Sequence, residues 1–468
     1  MSTDAWDKAA DVRAGRVSSV ELVTAALERL EQTQPELNAF TQVFAEQALD
    51  DARAADDRVR SGRDHPPLLG LPVSVKDHIW MAGVPATNGS VALRDFVPPE
   101  DAVAVTRLRE AGAVVVGKTN NPEFCYRAYT DNALYGLTRN PWDLSRTPGG
   151  SSGGAGASVA AGVTDVALGT DGGGSIRIPA AFCGVVGHKP TFGRVPKEPG
   201  FKGWKTLSVD GPLTRSVRDA ALALQVLSGA APGDDMTWPS EAVDLARVDE
   251  VSLDLRGLRV AWSADLGVSP VDDQVRDAFI AVLEVLEGLG ARLEEAAPVT
   301  EHPAPLWNSL ALVEGYSSEG PLLERFRDVM TPGTAEIIEA GAAASGWEYV
   351  DALHAKGRFT RAWEEFFTHH DLVLTPSMPV TAFGVEHQTP QEVGGRPVDP
   401  FFDDWCALAL PANLAGLPAT SVPCGLAADG LPVGLQVMGP RWADGLTLAF
   451  AALVEKAVPW QGFVPSAG

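Results

Sequence analysis

Three places in this chain carry side chains that could do chemistry together: Lys76, the pair Ser151-Ser152, and the segment Asp171-Gly172-Gly173-Gly174-Ser175. A serine hydroxyl is a poor nucleophile at its own pKa and needs a base. No histidine here sits in a context that singles it out, and a desolvated, neutral lysine can serve instead. Lys76 closes the apolar run that starts at Gly70, and such a run supplies the desolvation. The glycines before Ser175 leave backbone amides bare, and Ile176 to Cys183 can begin a helix behind them. Amides so placed can hold an oxyanion, each donor contributing ~3 kcal/mol in a transition state. Plainer uses exist: Lys76 as a surface charge paired with Asp77, and Ser175 as a helix cap. Each explains one residue, whereas acyl transfer explains the set.

Other patterns point elsewhere and fail on context. Gly112 to Thr119 fits the phosphate-loop expression Gly-x4-Gly-Lys-Thr, but Ala113 to Val116 read as the strand itself, so their amides belong to a sheet and not to a phosphate. Gly149 to Gly153 fits the nucleophile elbow of α/β-hydrolases, yet Asn140 to Pro148 read as a loop where that elbow needs a strand. His369-His370-Asp371 suggests a metal, but adjacent histidines leading into a strand project to opposite faces, so a solvated loop is expected.

The elements that must position these residues alternate between strand and helix, which predicts an α/β fold. Ser18 and Glu21 form a capping box for a helix over 18–33 that ends before Pro35. Gly70 to Asp77 reads as a strand and residues 102–111 as a helix. From Pro148 to Pro179 glycine is dense, but the strand-like Val166-Ala167-Leu168 and the Ser175 to Ile178 segment argue against a flexible linker. Further on, a helix over Val217 to Leu227 capped by Ser216, a strand over Leu258 to Trp262 and a helix over Asp272 to Leu289 are expected. Asp371 to Pro376 reads as a strand, residues 405–416 as a helix, and Pro418 to Gly439 as a hairpin turning at Asp429-Gly430. The Pro-rich, acidic stretch from Ala230 to Val251 is the best candidate boundary, but strands on either side can share one sheet. One large α/β domain is expected.

The 468 residues carry 37 Lys and Arg against 61 Asp and Glu, a formal net charge of −24, which argues against a surface that grips nucleic acid. A hydrophobic share of 45% with 21% charged residues fits a soluble globular protein. Met1 to Asp7 has the character of neither a secretion signal nor a transit peptide, and no run is apolar enough to span a membrane, so a cytoplasmic location is expected. The cysteines, Cys125, Cys183, Cys406 and Cys424, are too scattered for a disulfide framework or zinc ribbon. Buried free thiols are the expectation for Cys183 and Cys424.

The hexad Gly149 to Gly154, followed by Gly169-Thr170-Asp171-Gly172-Gly173-Gly174-Ser175-Ile176-Arg177-Ile178-Pro179 and then Cys183 to Thr191, resembles the amidase signature family. That family's hallmark is Gly-Gly-Ser-Ser-Gly-Gly and then Gly-x-Asp-x-Gly-Gly-Ser-Ile-Arg-x-Pro. Lys76-Asp77, Asn140 to Asp143, Gly211-Pro212-Leu213, Pro411-Ala412-Asn413 and Gly430 to Gly439 share the likeness, which is weakest from about 235 to 370. The resemblance implies one domain over 1–468 with its signature core at about 70–215, and a central mixed, twisted sheet covered by helices on both faces. It implies Ser175 as nucleophile, Ser151 as the bridging serine in a cis peptide bond, and Lys76 as base. It also implies an oxyanion hole from the amides of Gly172, Gly173, Gly174 and Ser175, supported by Ser152, Asp171 and Arg177.

For substrate, the resemblance places Cys125 and Tyr126 near the scissile acyl group, with the loop Phe201 to Trp204 as a wall. Trp405 and Pro418 to Pro423 are expected to pack the core. Gly172 stands where relatives often carry another residue, which implies a looser oxyanion loop. The activity implied is a serine amidase on small carboxamides or anilides, with esters and carbamates as variants. It needs no cofactor or metal, and the protein would work as a monomer or homodimer. The alternatives are the amidase subunit of a tRNA-dependent amidotransferase, which hydrolyses glutamine for a partner, and a non-catalytic binding protein on the same fold.

Overall fold

The computed structural model describes residues 4–62, 65–239, 248–250, 253–398, 404–458 and 460. Among them, Phe40–Val43 (β1), Pro72–Lys76 (β2), Val114–Thr119 (β3), Val166–Asp171 (β4), Val186–Lys189 (β5) and Val209–Thr214 (β6) build one half of a sheet. Val260–Trp262 (β7), Leu293–Glu295 (β8), Leu372–Pro376 (β9), Ala419–Leu426 (β10) and Pro432–Met438 (β11) build the other. The eleven strands lie in the order β1-β3-β2-β4-β6-β5-β10-β11-β9-β7-β8. Pairing is parallel from β3 through β2 to β4 and again from β9 through β7 to β8, and antiparallel elsewhere. This is a single large α/β domain around a mixed sheet.

Helices cover both faces. They are Ala5–Arg13 (α1), Ser19–Leu37 (α2), Ala45–Arg60 (α3), Val103–Glu110 (α4), Gly153–Ala160 (α5), Arg177–Cys183 (α6) and Val217–Leu227 (α7). Asp273–Gly288 (α8), Pro303–Phe326 (α9), Thr334–Ala340 (α10), Gly346–Phe366 (α11), Leu410–Leu414 (α12) and Asp444–Ala457 (α13) follow. Side-chain alternation assigns the faces. In β2, Val73 and Val75 enter the largest core together with residues of α4, α7 and α13. Ser74 points the other way, its Oγ 3.4 Å from Ser158 Oγ on α5, and Lys76 has the same parity. The sheet therefore presents Lys76 to the side where α5 and α6 pack, with no apolar side chain displaced from the core.

The glycine-dense segment is a packed structure. Helix α5 is buried along its whole length, and at Gly154 an added Cβ would sit 2.5 Å from Ala39 O and Asn120 N, so only glycine lets this helix approach the sheet edge. The last six residues of the phosphate-loop pattern, Val114–Thr119, form β3, paired on both sides, and Lys118 lies buried 3.8 Å from Asp77. Among the described residues no strand enters Ser151.

Several expectations need correction. Helix α2 has the Ser18–Glu21 capping box but runs through Pro35 to Leu37. In the last turn a proline removes only one N–H, and the left-handed Asn38 (φ 48°) stops the helix instead. The helix expected over 405–416 shrinks to α12, because the chain turns at Asp404–Cys406 and the Ala409 carbonyl accepts from Arg177. His369 is exposed, but His370 is buried, stacked on Phe366 at 4.3 Å and hydrogen-bonded to Glu294 at 3.2 Å. Among the described residues no His, Cys, Asp and Glu cluster could hold a metal, and no helix is long and apolar enough to cross a membrane. Residues 240–247 and 251–252 of the candidate boundary lie outside the described residues, while β6 and β7 flanking it belong to one sheet. Cys183 and Cys424 are buried free thiols, burial pushing the Cys424 pKa up to about 12.

Gly117 pairs with Val43 of the edge strand, and a Cβ there would strike the Gln42 carbonyl and lie 2.9 Å from the Phe40 ring. Gly117→Val is expected to lift β1 off the sheet at a cost of about 1–3 kcal/mol. The measurement is the urea midpoint, and a wild-type midpoint would contradict this packing.

Candidate active site

The end of β2 delivers Lys76 into the interior with no exposed surface. Its Nζ lies 2.7 Å from Ser151 Oγ and 2.7 Å from Thr170 Oγ1, and it forms no ion pair among the described residues. The expected alternative partner, Asp77, is engaged elsewhere: it accepts from Thr87 Oγ1 at 2.7 Å and faces Lys118. Burial lowers the Lys76 pKa, and its neighbours Cys125, Asp210 and Asp171 only partly oppose it. A cation removed from water and given hydroxyls in place of a carboxylate is disfavoured relative to the free amine.

The Gly150-Ser151 peptide bond is cis. Ser152 ties this loop to its neighbours: its hydroxyl donates to Thr170 O (3.2 Å), accepts from Thr170 N (3.3 Å), and its amide donates to Ser175 O at 3.2 Å. Ser151 and Ser175 consequently line one cavity together with Thr170, His78 and Tyr126. Ser175 Oγ makes no hydrogen bond among the described residues, so the Lys76 to Ser151 link is formed and the Ser151 to Ser175 link is not. Ser175 does not cap α6, whose N-cap position is Ile176 without a side-chain cap.

A buried ion pair fixes the loop between these serines. Arg177 uses all its donors: Nε and Nη2 reach Asp171 at 3.0 and 2.9 Å, Nη2 also reaches Asn413 Oδ1 (2.7 Å), and Nη1 reaches Ala409 O (2.8 Å) and Gln436 Oε1 (2.6 Å). The Asp171 carboxylate accepts further from Gly174 N (2.8 Å), Ile176 N (3.1 Å) and Asn413 Nδ2 (3.0 Å). Burial alone would raise its pKa, but the Arg177 charge and these bonds hold it well below the usual carboxylate range. Asn413 closes a bridge from the late part of the chain that the residue pattern alone does not reveal.

This network engages one of the four amides that the resemblance implies for an oxyanion hole. The Gly174 amide is committed to Asp171, which leaves Gly172, Gly173 and Ser175 with amides that make no hydrogen bond among the described residues. The loop is not loosened at Gly172 either. Its carbonyl accepts from Trp307 Nε1 at 2.8 Å, and a Cβ there would sit 2.5 Å from the Trp204 ring. Since a trans peptide sets C=O and N–H antiparallel, pinning the Gly172 carbonyl turns the Gly173 amide away from Trp307.

Cys125 and Tyr126 both line the cavity beside Ser175, as does Trp204, whereas Phe201 packs with His78, Trp80 and Phe96. Trp405 stacks on Phe182 in the core. The sequence did not single out Thr170, His78, Trp307 or Glu319. Thr170 becomes visible only through register: Val75 pairs with Leu168, which sets Lys76 beside the following residues of β4. His78 is neutral near pH 7, because burial above all pushes its pKa down to about 4, and its Nδ1 lies 3.0 Å from Asn88 Oδ1.

The chain belongs to the amidase signature family: the family model Amidase matches residues 21–448. It is 38% identical over 95% of both chains to a glutamyl-tRNA(Gln) amidotransferase subunit of Carboxydothermus hydrogenoformans. It is 36% identical to an acylamidase of Rhodococcus erythropolis, covering 99% of this chain and 97% of that one. A bacterial aryl acylamidase structure superposes with a TM-score of 0.92 at 30% identity, covering 99% and 98% of the two chains.

Removing the Asp171 charge strands a buried guanidinium, so Asp171→Asn is expected to cost about 3–5 kcal/mol in urea unfolding. The depressed pKa means that this contribution is fully present above the unfolded-state value near 3.8 and lost only as pH falls through the folded-state value. The wild-type advantage over Asp171→Asn should therefore persist unchanged at mildly acidic and neutral pH; its loss in that range would refute the ion-pair account.

Proposed function

We propose that this protein is a free-standing serine amidohydrolase that cleaves linear carboxamides and anilides through an acyl-enzyme on Ser175, the whole chain acting as one unit around residues 70–215. One observation carries the reading: a fully buried lysine, without a carboxylate partner among the described residues, 2.7 Å from the hydroxyl of Ser151, which in turn lines the cavity of Ser175. Neutral Lys76 can accept the Ser151 proton while donating to Thr170. Ser151 takes the Ser175 proton as its Oγ attacks the acyl carbon, and this second link tightens when a carbonyl occupies the site. The free amides of Gly172, Gly173 and Ser175 receive the oxyanion, worth ~3 kcal/mol per donor. The proton returns through Ser151 to the leaving nitrogen, and water enters by the same relay to release the acid. Esters and carbamates fit the same sequence of steps.

A second reading has one observation in its favour, the 38% identity to a glutamyl-tRNA(Gln) amidotransferase subunit. In that reading the same relay hydrolyses glutamine and the ammonia goes to a partner. The net charge of −24 gives the chain itself no general attraction for tRNA. Purified alone, the protein should hydrolyse p-nitroanilides and primary amides; turnover only of glutamine, and only with co-expressed subunits, would establish the second reading.

Lys76→Ala should lower the acylation rate on the order of 10³-fold, with loss of the acyl adduct that mass spectrometry detects on Ser175. Because burial lowers the Lys76 pKa, the neutral base is present above that pKa and lost below it, so wild-type kcat/KM should decline on the acid side. Lys76→Ala should lack that limb; wild-type acylation by this variant would remove Lys76 from the mechanism.

A further inference from the structure

Ser175 stands where two small cavities meet, each of about 20 Å³, room for about one water apiece. The first contains Ser151, Thr170, His78 and Glu319. The second lacks Ser151 and is walled by Ile178, Trp307 and Leu410. If the relay returns its proton from Ser151, the leaving nitrogen must lie in the first cavity, and the acyl chain is left the second, a mostly apolar one that Arg127 also lines. This assignment rests on the reading proposed above. It makes Glu319, on α9, the acidic wall of the amine side.

Glu319 is only 6% exposed, and its Oε2 accepts from Tyr126 Oη at 2.7 Å. The groups that face it are Tyr126 and Cys125 from the loop after β3, His78 from the loop after β2, and Ser318 on its own helix. None is a cation near neutral pH, since His78 is held neutral, and Glu319 forms no ion pair among the described residues. Burial raises its pKa to about 7, the signature of a carboxylate without a counter-charge. A positive group arriving with the substrate would supply that charge in a site shielded from water, where such a pair is strong.

We propose that Glu319 is a specificity-determining residue that selects amides whose amine portion carries a second, cationic nitrogen. The probes are N-(2-aminoethyl)acetamide and its neutral isostere N-propylacetamide. The ratio of their kcat/KM values should favour the cationic amide in wild type and fall by roughly tenfold or more in Glu319→Gln, the size of a charge-assisted hydrogen bond. In wild type the ratio should rise with pH through about 7, where Glu319 ionises, and stay flat in the variant. Glutamine can still accept from Tyr126, so a purely structural role would lower both substrates in proportion and leave the ratio unchanged. Calorimetric binding of the same pair to Ser175→Ala and to Ser175→Ala/Glu319→Gln reads the preference without turnover. An unchanged preference in that measurement overturns the role of Glu319 whether or not the amides are hydrolysed. Failure of wild type to turn over any amide, with the binding preference intact, overturns the proposed function instead.

Discussion

The site rests on the burial of an amine that is given no negative partner among the described residues. An ammonium moved from water into a protein interior loses several kcal/mol of solvation, and a carboxylate in contact is the usual compensation. Lys76 has two hydroxyls instead. The physical response is a pKa lowered from the usual lysine value. Burial of lysine is not by itself diagnostic here. Lys118 and Lys189 are also fully buried, with pKa values pushed down to about 8 and about 7, but the first faces Asp77 and the second donates to Pro190 O. Of these three lysines, only Lys76 meets a serine that opens onto a cavity.

The opposite choice is made a few ångströms away. Arg177 is as deeply buried as Lys76, but every donor it has is satisfied and Asp171 carries the matching charge. This pair does not touch the cavity and holds the loop that does. Asp171 takes the amides of Gly174 and Ile176, while those of Gly172, Gly173 and Ser175 are left without helical or sheet partners among the described residues. Trp307 and Asn413 extend the clamp to α9 and α12, so the glycine loop before Ser175 is secured by elements distant in sequence.

Much was legible in the residues themselves. The apolar strand β2, the Ser18–Glu21 capping box and the Asp429-Gly430 hairpin are local, because strand patterning, helix capping and turn chemistry act over a few neighbours. The glycine density from Gly149 to Gly174, with strand-like residues among it, likewise spoke for ordered structure and against a flexible linker. Lys76, Ser151 and Ser175 could be named as a set for the same reason: an apolar run before a lysine and bare amides before a serine are written in adjacent letters.

Sequence alone thus determined which groups have the chemistry, while tertiary structure decided which of them meet. Thr170 reaches Lys76 only because β2 and β4 pair in a particular register, and register is set by packing across the sheet. Asp171 claims the Gly174 amide, and Gly172 is held firm by tryptophans from a later loop and from α9. Glu319 looked like any acidic residue on a helix until the fold enclosed it beside Tyr126. Composition and spacing report what a side chain can do; desolvation and hydrogen-bond competition depend on neighbours that the chain supplies from hundreds of residues away.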